Sequence, residues 1–352
     1  MSANDNVVDE TGGVVSDAES TSRRLGRLEI AALVLATAFA ILALLAFTPL
    51  LDGDLSSHAQ PMASTTQVRA LEQQLLAKDG PDINPTCHSI IIDAGHKQAQ
   101  SVVLLHGFTS CPGQWLTVAK AYAAAGYNVV IPRLPGHGYA DRLTSAPSDV
   151  TPQELAATTD EAINLAAALG DRVTVVGLSA GGSLAAWAAA HRNDVAEADV
   201  IAPLMLPKAI PEIAVAPIAR LAGHIPDIYL WWDGDKKEKL ATPPYAYPRY
   251  SLRSLGAFLA LGRNAQHDVT RTTPLDRLLV ITNANDGAVS NDPLVGFKEH
   301  MRPVTKIVDQ YEFPGAEQFK HDLVTVDGEN AKHISEIYAK LASLLPLQGL
   351  ST

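Results

Sequence analysis

Gly177-Leu178-Ser179-Ala180-Gly181 sets a serine between two glycines in the spacing Gly-x-Ser-x-Gly. The four residues before it, Val173 to Val176, are β-branched throughout, as in a strand buried on both faces. Those after it, Ser183 to Ala190, are mostly small helix formers. Strand, tight turn and helix in that order make a nucleophile elbow, in which a strained turn lifts the serine oxygen above a sheet. Gly177 and Gly181 are expected where a Cβ would collide between strand and helix. A glycine-rich connection with a capping serine would share the bare pattern but not these flanks. Ser179 is the expected nucleophile.

A serine hydroxyl is a weak nucleophile at its free pKa, so it needs a base and a group that orients the base. With an elbow of this kind the partners follow in chain order Ser, Asp or Glu, then His, each beyond the C-terminal end of a strand. Asp286 fits the second place. It follows the apolar stretch Leu278 to Ile281 in a loop that Gly287 lets turn sharply. His321 fits the third, shortly beyond the stretch Thr305 to Phe313. The rivals are Asp292, whose following Pro293 marks a helix start, and His333, which falls inside the final expected helix. A tetrahedral intermediate needs two donors aimed at its oxyanion. The backbone N–H groups of Ala180 and of Phe108, in His106-Gly107-Phe108-Thr109-Ser110, are expected to supply them, with Gly107 admitting a close approach. There is no His-Glu-x-x-His and no Cys/His cluster, so neither a metal nor a cofactor is expected.

Around these residues the chain alternates strand and helix, which predicts an α/β fold with a mostly parallel sheet covered on both faces. Strands are expected at 89–92, 101–105, 127–131, 173–178, 198–202, 277–282 and 305–313, and helices at 115–125, 152–169 and 330–345. Thr151 and Glu154 form a capping box around Pro152. Residues 203–275 break the alternation. They are rich in proline and aromatics, show no sheet strand, and read as a lid inserted after the sixth strand. Trp231 and Trp232 are its candidate substrate contacts, in a pocket suited to a hydrocarbon chain. Cys87 and Cys111, the only cysteines, flank the first two strands. If those strands are hairpin neighbours, a disulfide would pin the oxyanion loop.

Residues 87–345 resemble the α/β-hydrolase superfamily, and within it the carboxylesterase and monoacylglycerol-lipase-like branch, often grouped with serine aminopeptidase-like hydrolases. The residues that carry the resemblance are His106-Gly107-Phe108, Pro135-Gly136-His137-Gly138, Gly177 to Gly181, Asp286 with Ala288-Val289, and His321. The chain departs from the family in its first antiparallel strands, which are short or missing.

The net charge is −11 over 352 residues, with no basic stripe interleaved with aromatics, which excludes nucleic acid as a partner. Residues 1–27 are polar and acidic and read as a disordered tail. Ile30 to Leu51 is a run of 22 residues without a charge, about 33 Å as helix and long enough to cross a bilayer. We assign 28–51 as a membrane-spanning signal anchor. Arg23, Arg24 and Arg27 precede it and Asp52 and Asp54 follow, which puts the tail in the cytoplasm and the catalytic domain outside. A cleaved signal peptide with Gln60 as mature N-terminus is the alternative, disfavoured because the run exceeds the usual apolar core of about 7–15 residues. Residues 52–86 read as a stalk with a short helix over 65–78, and 346–352 as a C-terminal tail. The sum is a membrane-anchored serine hydrolase acting on a small-molecule or lipid ester. The alternatives are a peptidase whose lid offers a carboxylate (Asp227, Asp233 or Glu238) to a substrate amine, and a non-catalytic protein that binds ligands under the lid.

Overall fold

The apolar strand segments assemble into one seven-stranded sheet, and Ser179, Asp286 and His321 all lie on loops beyond the C-terminal ends of its strands. The computed structural model describes residues 15–60, 65–235, 237, 243–347 and 350. Residues 1–14, Glu238 and most of the C-terminal tail lie outside these. The chain divides into two units, Met1–Leu50 and Leu51–Thr352.

In the first unit, α1 (Val15–Phe47) is one long helix. Its segment Leu28–Phe47, 20 residues, is long and apolar enough to cross a membrane. Pro49 ends it in a turn of 3-10 helix, so the apolar helix stops short of Leu51.

The second unit begins as a strap rather than a free stalk. Leu55 is buried and its carbonyl accepts from the indole N–H of Trp187 at 2.9 Å. The Ser57 hydroxyl and the His58 N–H donate to the two oxygens of Asp160, each at 2.6 Å. After α2 (Thr65–Leu76), whose Leu75 is buried, come β1 (Ile90–Ile92), β2 (Gln98–Leu105), α3 (Leu116–Ala124), β3 (Tyr127–Ile131), α4 (Pro152–Leu169), β4 (Gly170–Leu178), α5 (Ala180–His191) and β5 (Val195–Ile201). The capping box at Thr151 and Glu154 forms as expected. Next are α6 (Glu212–Leu221), β6 (Tyr229–Trp231), β7 (Arg249–Ser251), α7 (Leu252–His267), β8 (Leu275–Asn283), α8 (Pro293–Met301), β9 (Thr305–Phe313) and α9 (Ile334–Leu344).

The sheet order is β1-β3-β2-β4-β5-β8-β9, and every pairing is parallel except β1 with β3. The central strands β2, β4, β5 and β8 are buried through their C-terminal halves. Their continuous Val, Leu and Ile runs are what a sheet covered on both faces requires.

Three expectations change. Among the described residues only one antiparallel strand forms at the first edge, so the insertion follows the fifth strand of this sheet rather than the sixth. The insertion does contain strands: β6 and β7 pair as an antiparallel hairpin. Its last helix, α7, buries Phe258, Leu259 and Leu261, so the cover proper ends near Ser251.

The third concerns the cysteines. β1 crosses to β3 and is no hairpin partner of β2, yet Cys87 and Cys111 are bonded, with Cα atoms 5.1 Å apart. Two turns of 3-10 helix, Pro85–Cys87 and Pro112–Trp115, bring them together. The turns sit so close that a Cβ on Gly113 would lie 2.9 Å from the Thr86 carbonyl oxygen. The bond closes a loop with a sequence separation of 24, which in the chain-entropy model stabilises the fold by about 3 kcal/mol. A Cys87→Ser/Cys111→Ser variant should therefore unfold at a lower urea concentration. An unchanged midpoint would show that the cross-link does not constrain the unfolded chain.

Candidate active site

Ser179 follows β4 in the left-handed region, with φ 58° and ψ −116°. A non-glycine residue there carries strain of order 1–3 kcal/mol, which the surroundings must impose. They do so through the backbone. The Ser179 N–H donates to the Ile201 carbonyl at 2.9 Å, and its carbonyl accepts from the N–H groups of Ser183 and Leu204. The flanking glycines have steric reasons. A Cβ on Gly177 would lie 2.0 Å from the Gly181 carbonyl oxygen, and one on Gly181 2.0 Å from that of Leu105.

Asp286, in the loop after β8, is nearly inaccessible, and its carboxylate has a fixed set of partners. One oxygen accepts from the N–H groups of Ala288 and Val289 at 2.8 and 3.0 Å. The other lies 2.7 Å from Nδ1 of His321. A carboxylate only accepts, so Nδ1 carries the proton and Nε2 is left as an acceptor. Burial pushes the Asp286 carboxyl up, but the His321 hydrogen bond and charge bring it below its ordinary value. Burial likewise pushes the His321 imidazole down, and Asp286, together with the charges of Asp322 and Glu329, offsets this and leaves it above its ordinary value. The described hydrogen bonds of His321 end at Asp286.

The rivals sit elsewhere. Asp292 is the residue before α8 and accepts from the Ser290 hydroxyl. His333 stands at the start of α9 rather than inside it, half exposed and facing Glu336.

The loop after β2 holds the second expected oxyanion donor. Among the described residues the N–H groups of Phe108 and Ala180 donate to no protein acceptor, whereas that of Gly107 is taken by Gln114 Oε1 at 2.7 Å. Gly107 itself has room for a Cβ, at 3.4 Å from the flexible Gln114 amide, so close approach is not what it supplies. The strain lies one residue later than Phe108, at Thr109 with φ 60°. The cover clamps that residue. The Thr109 carbonyl accepts from the Tyr247 N–H at 2.9 Å, and its hydroxyl accepts from the Trp232 indole at 3.1 Å. Trp232, Tyr250, Phe258 and His137 surround the Phe108 ring. Trp231 is not part of this cluster; the Arg249 guanidinium lies 6.0 Å from its ring centroid.

A family model described as the alpha/beta hydrolase family matches residues 102–328. The chain belongs to that family. It is 36% identical to the thermostable monoacylglycerol lipase of Bacillus sp. (strain H-257) over 115 residues, 32% of this chain and 43% of the lipase. The alignment thus spans less than half the length of that relative. Among solved structures, one of the metagenome-derived lipolytic enzymes LipS and LipT superposes with a TM-score of 0.57 at 21% identity, covering 74% of this chain and 98% of its own. A soluble variant of monoglyceride lipase from Saccharomyces cerevisiae superposes with a TM-score of 0.55 at 14% identity, covering 75% and 92%. At those identities the structural likeness is one of fold.

Several residues that tie this alpha/beta hydrolase site together have no motif to announce them. Gln114 accepts from Gly107 and donates to Asp322 at 3.0 Å and Thr325 at 3.2 Å, so one buried amide joins the Phe108 loop to the His321 loop. Asn283 donates to the carbonyls of Phe319 and Lys320, and Asn330 to those of Lys320 and Asp322, bracketing His321. The Lys208 ammonium donates to the Asp286 main-chain carbonyl. The only sequence sign of these would have been amide side chains in loops next to site residues.

His106 and His137 are structural. His106 accepts the Leu134 N–H at Nε2 and bonds the Gly107 carbonyl at Nδ1. Burial keeps both neutral, with His137 pushed down to about 4. Of the carboxylates considered for binding an amine, Asp227 accepts the N–H groups of Ile228 and Arg253 at the start of α7, and Asp233 accepts that of Asp235. No group of three His, Cys, Asp or Glu that could hold a metal occurs among the described residues.

Proposed function

We propose that this protein hydrolyses carboxylic esters with a single acyl chain, of the monoacylglycerol kind, through an acyl-serine intermediate. Ser179 Oγ attacks the ester carbonyl as its proton passes to Nε2 of His321. The oxyanion is held by the N–H groups of Phe108 and Ala180. The imidazolium returns the proton to the departing alcohol, and water then repeats the sequence on the acyl group. Asp286 keeps the imidazole in the required tautomer and stabilises its charged form.

The observation that carries this reading is the 2.7 Å hydrogen bond from His321 Nδ1 to Asp286 on the sheet rim that also bears the strained Ser179. The Ser179–His321 contact has to close when substrate binds, as such contacts commonly do. The aromatic cover over Phe108 suits an acyl chain. The similarity to a monoacylglycerol lipase supports the same class.

We infer further that Leu28–Phe47 is an uncleaved membrane anchor with the arginines on the cytoplasmic side and the catalytic unit outside. Cleavage after Ala59 would remove Leu55, Ser57 and His58 from contacts with Trp187 and Asp160, which supports retention.

A panel of glycerol and p-nitrophenyl esters set against aminoacyl anilides tests the substrate class. Esters should be turned over at least 100-fold faster, since the similarity to a monoacylglycerol lipase points to an ester substrate. Preference for anilides would overturn it.

A further inference from the structure

A cavity of about 720 Å³ lies between the start of the strap, the first turn of α4, and helices α6 and α7. None of Ser179, Asp286 or His321 lines it. Its walls carry Arg220, Arg263 and His267 close together, although the chain as a whole is strongly acidic.

Arg263 lacks the partners that several comparable arginines have. Four other buried or half-buried arginines of the domain are held by carboxylates or main-chain carbonyls. Arg133 pairs with Asp79, Arg192 with Asp160 and Asp194, and Arg277 with Glu197 and Asp309. Arg271 donates to three main-chain carbonyls. Arg263, half-buried on α7, makes no hydrogen bond or ion pair with any described residue.

Of the two acidic groups in the cavity, Asp52 receives a two-pronged hydrogen bond from Arg220, at 2.7 and 2.8 Å, and Asp268, at the end of α7, accepts from the neutral Asn264 amide at 3.3 Å. Burial, and then the neighbouring Arg220, push the Arg263 guanidinium below its ordinary value, with Asp52 only partly opposing them. Holding an unpaired, partly desolvated cation beside a like charge is unfavourable unless a counter-charge arrives from outside. A planar guanidinium fork matches the oxygens of a phosphate group.

We propose that this cavity binds a phosphate-bearing anion through Arg263, at a site separate from the ester-cleaving rim. The phosphate of a lipid headgroup and free inorganic phosphate offer the same chemistry. Leu51, Asp52, Gly53 and Leu55, which line the cavity, lie only a few residues after the apolar helix in the chain, so the lipid arm of the test is the informative one.

The test uses the full chain in a neutral detergent. Thermal unfolding is followed as inorganic phosphate, or dioctanoyl phosphatidic acid, is titrated at constant ionic strength set with sodium chloride. Specific binding raises Tm saturably. The Arg263→Gln variant should weaken the apparent affinity at least 10-fold while its Tm without ligand stays near that of the parent. The Arg263→Lys variant keeps the charge but loses the fork and should fall between them, which covers a glutamine variant that fails to fold. A shift that chloride reproduces, or that survives in both variants, would overturn the proposal. A saturable shift with phosphatidic acid at concentrations where inorganic phosphate gives none would identify a lipid as the occupant, and the reverse a free anion. Neither outcome depends on Ser179 being a nucleophile.

Discussion

Ester turnover should fall by a factor of about 10⁴–10⁶ in Ser179→Ala, with the fold unchanged. The separation of the two effects follows from how the elbow is held. Its left-handed backbone is fixed by main-chain hydrogen bonds to Ile201, Ser183 and Leu204 and by two glycines that leave no room for a Cβ. None of these uses the Ser179 hydroxyl, which makes no hydrogen bond among the described residues. Alanine has the same steric limits as serine at φ 58°, so the strain is unaltered and only the attacking oxygen is removed. What remains is catalysis by binding and oxyanion stabilisation alone, which leaves a small rate above water. Single-turnover kinetics on a p-nitrophenyl ester, together with thermal unfolding, would check both halves. A fluorophosphonate should label the parent and not the variant. If the variant kept more than about one hundredth of the parent rate, some other group would have to be the nucleophile.

Much of this arrangement could be read from sequence because local rules set it. The β-branched run ending at Val176 can only be a buried strand, and a glycine two residues either side of Ser179 is demanded by the approach of α5 to β4. Loops after strands are also legible, so Asp286 and His321 could be named from their positions beyond β8 and β9, although that Asp286 actually meets His321 is a fact of tertiary packing. What escaped has a common physical cause. β1 pairs with β3 because of where the chain crosses the sheet edge, which three isoleucines cannot encode. Gln114, Asn283 and Asn330 act through amide groups whose partners lie up to 211 positions away, and no period or spacing marks them. Trp231 and Trp232 looked equivalent as neighbours, yet only Trp232 reaches Thr109, because Trp231 ends a strand and its ring lies towards Arg249. The segment after the apolar run read as a stalk on polarity alone. A handful of contacts, among them the buried Leu55, the Ser57, His58 and Gln60 donors and the Asp52–Arg220 pair, lay it along the domain.

The pH dependence of Asp286→Asn should separate orientation of the base from its protonation. In the parent, burial lowers the His321 imidazole, but Asp286, with smaller help from Asp322 and Glu329, leaves it above its ordinary value. The base works only when neutral, so the acid limb of kcat/KM should have its midpoint above the ordinary imidazole value of about 6.5. Asparagine removes the opposing charge and leaves burial in place, which moves that midpoint downward. A larger fraction of His321 is then neutral at pH 6, and a simple titration argument would have the variant gain activity there. It should instead lose a factor of about 10⁴ across the whole range. An amide N–H turned towards Nδ1 makes that nitrogen an acceptor and shifts the proton to Nε2, where it blocks transfer from Ser179. The two effects have opposite signs at low pH, so one profile tells them apart. A lower midpoint with a uniformly reduced plateau fits Asp286 as both charge and orienter. An unchanged midpoint would mean that the carboxylate does not set the protonation of His321. A plateau within tenfold of the parent would mean that the tautomer is fixed by something else, and the 2.7 Å contact would then be a structural bond near the site rather than part of its chemistry.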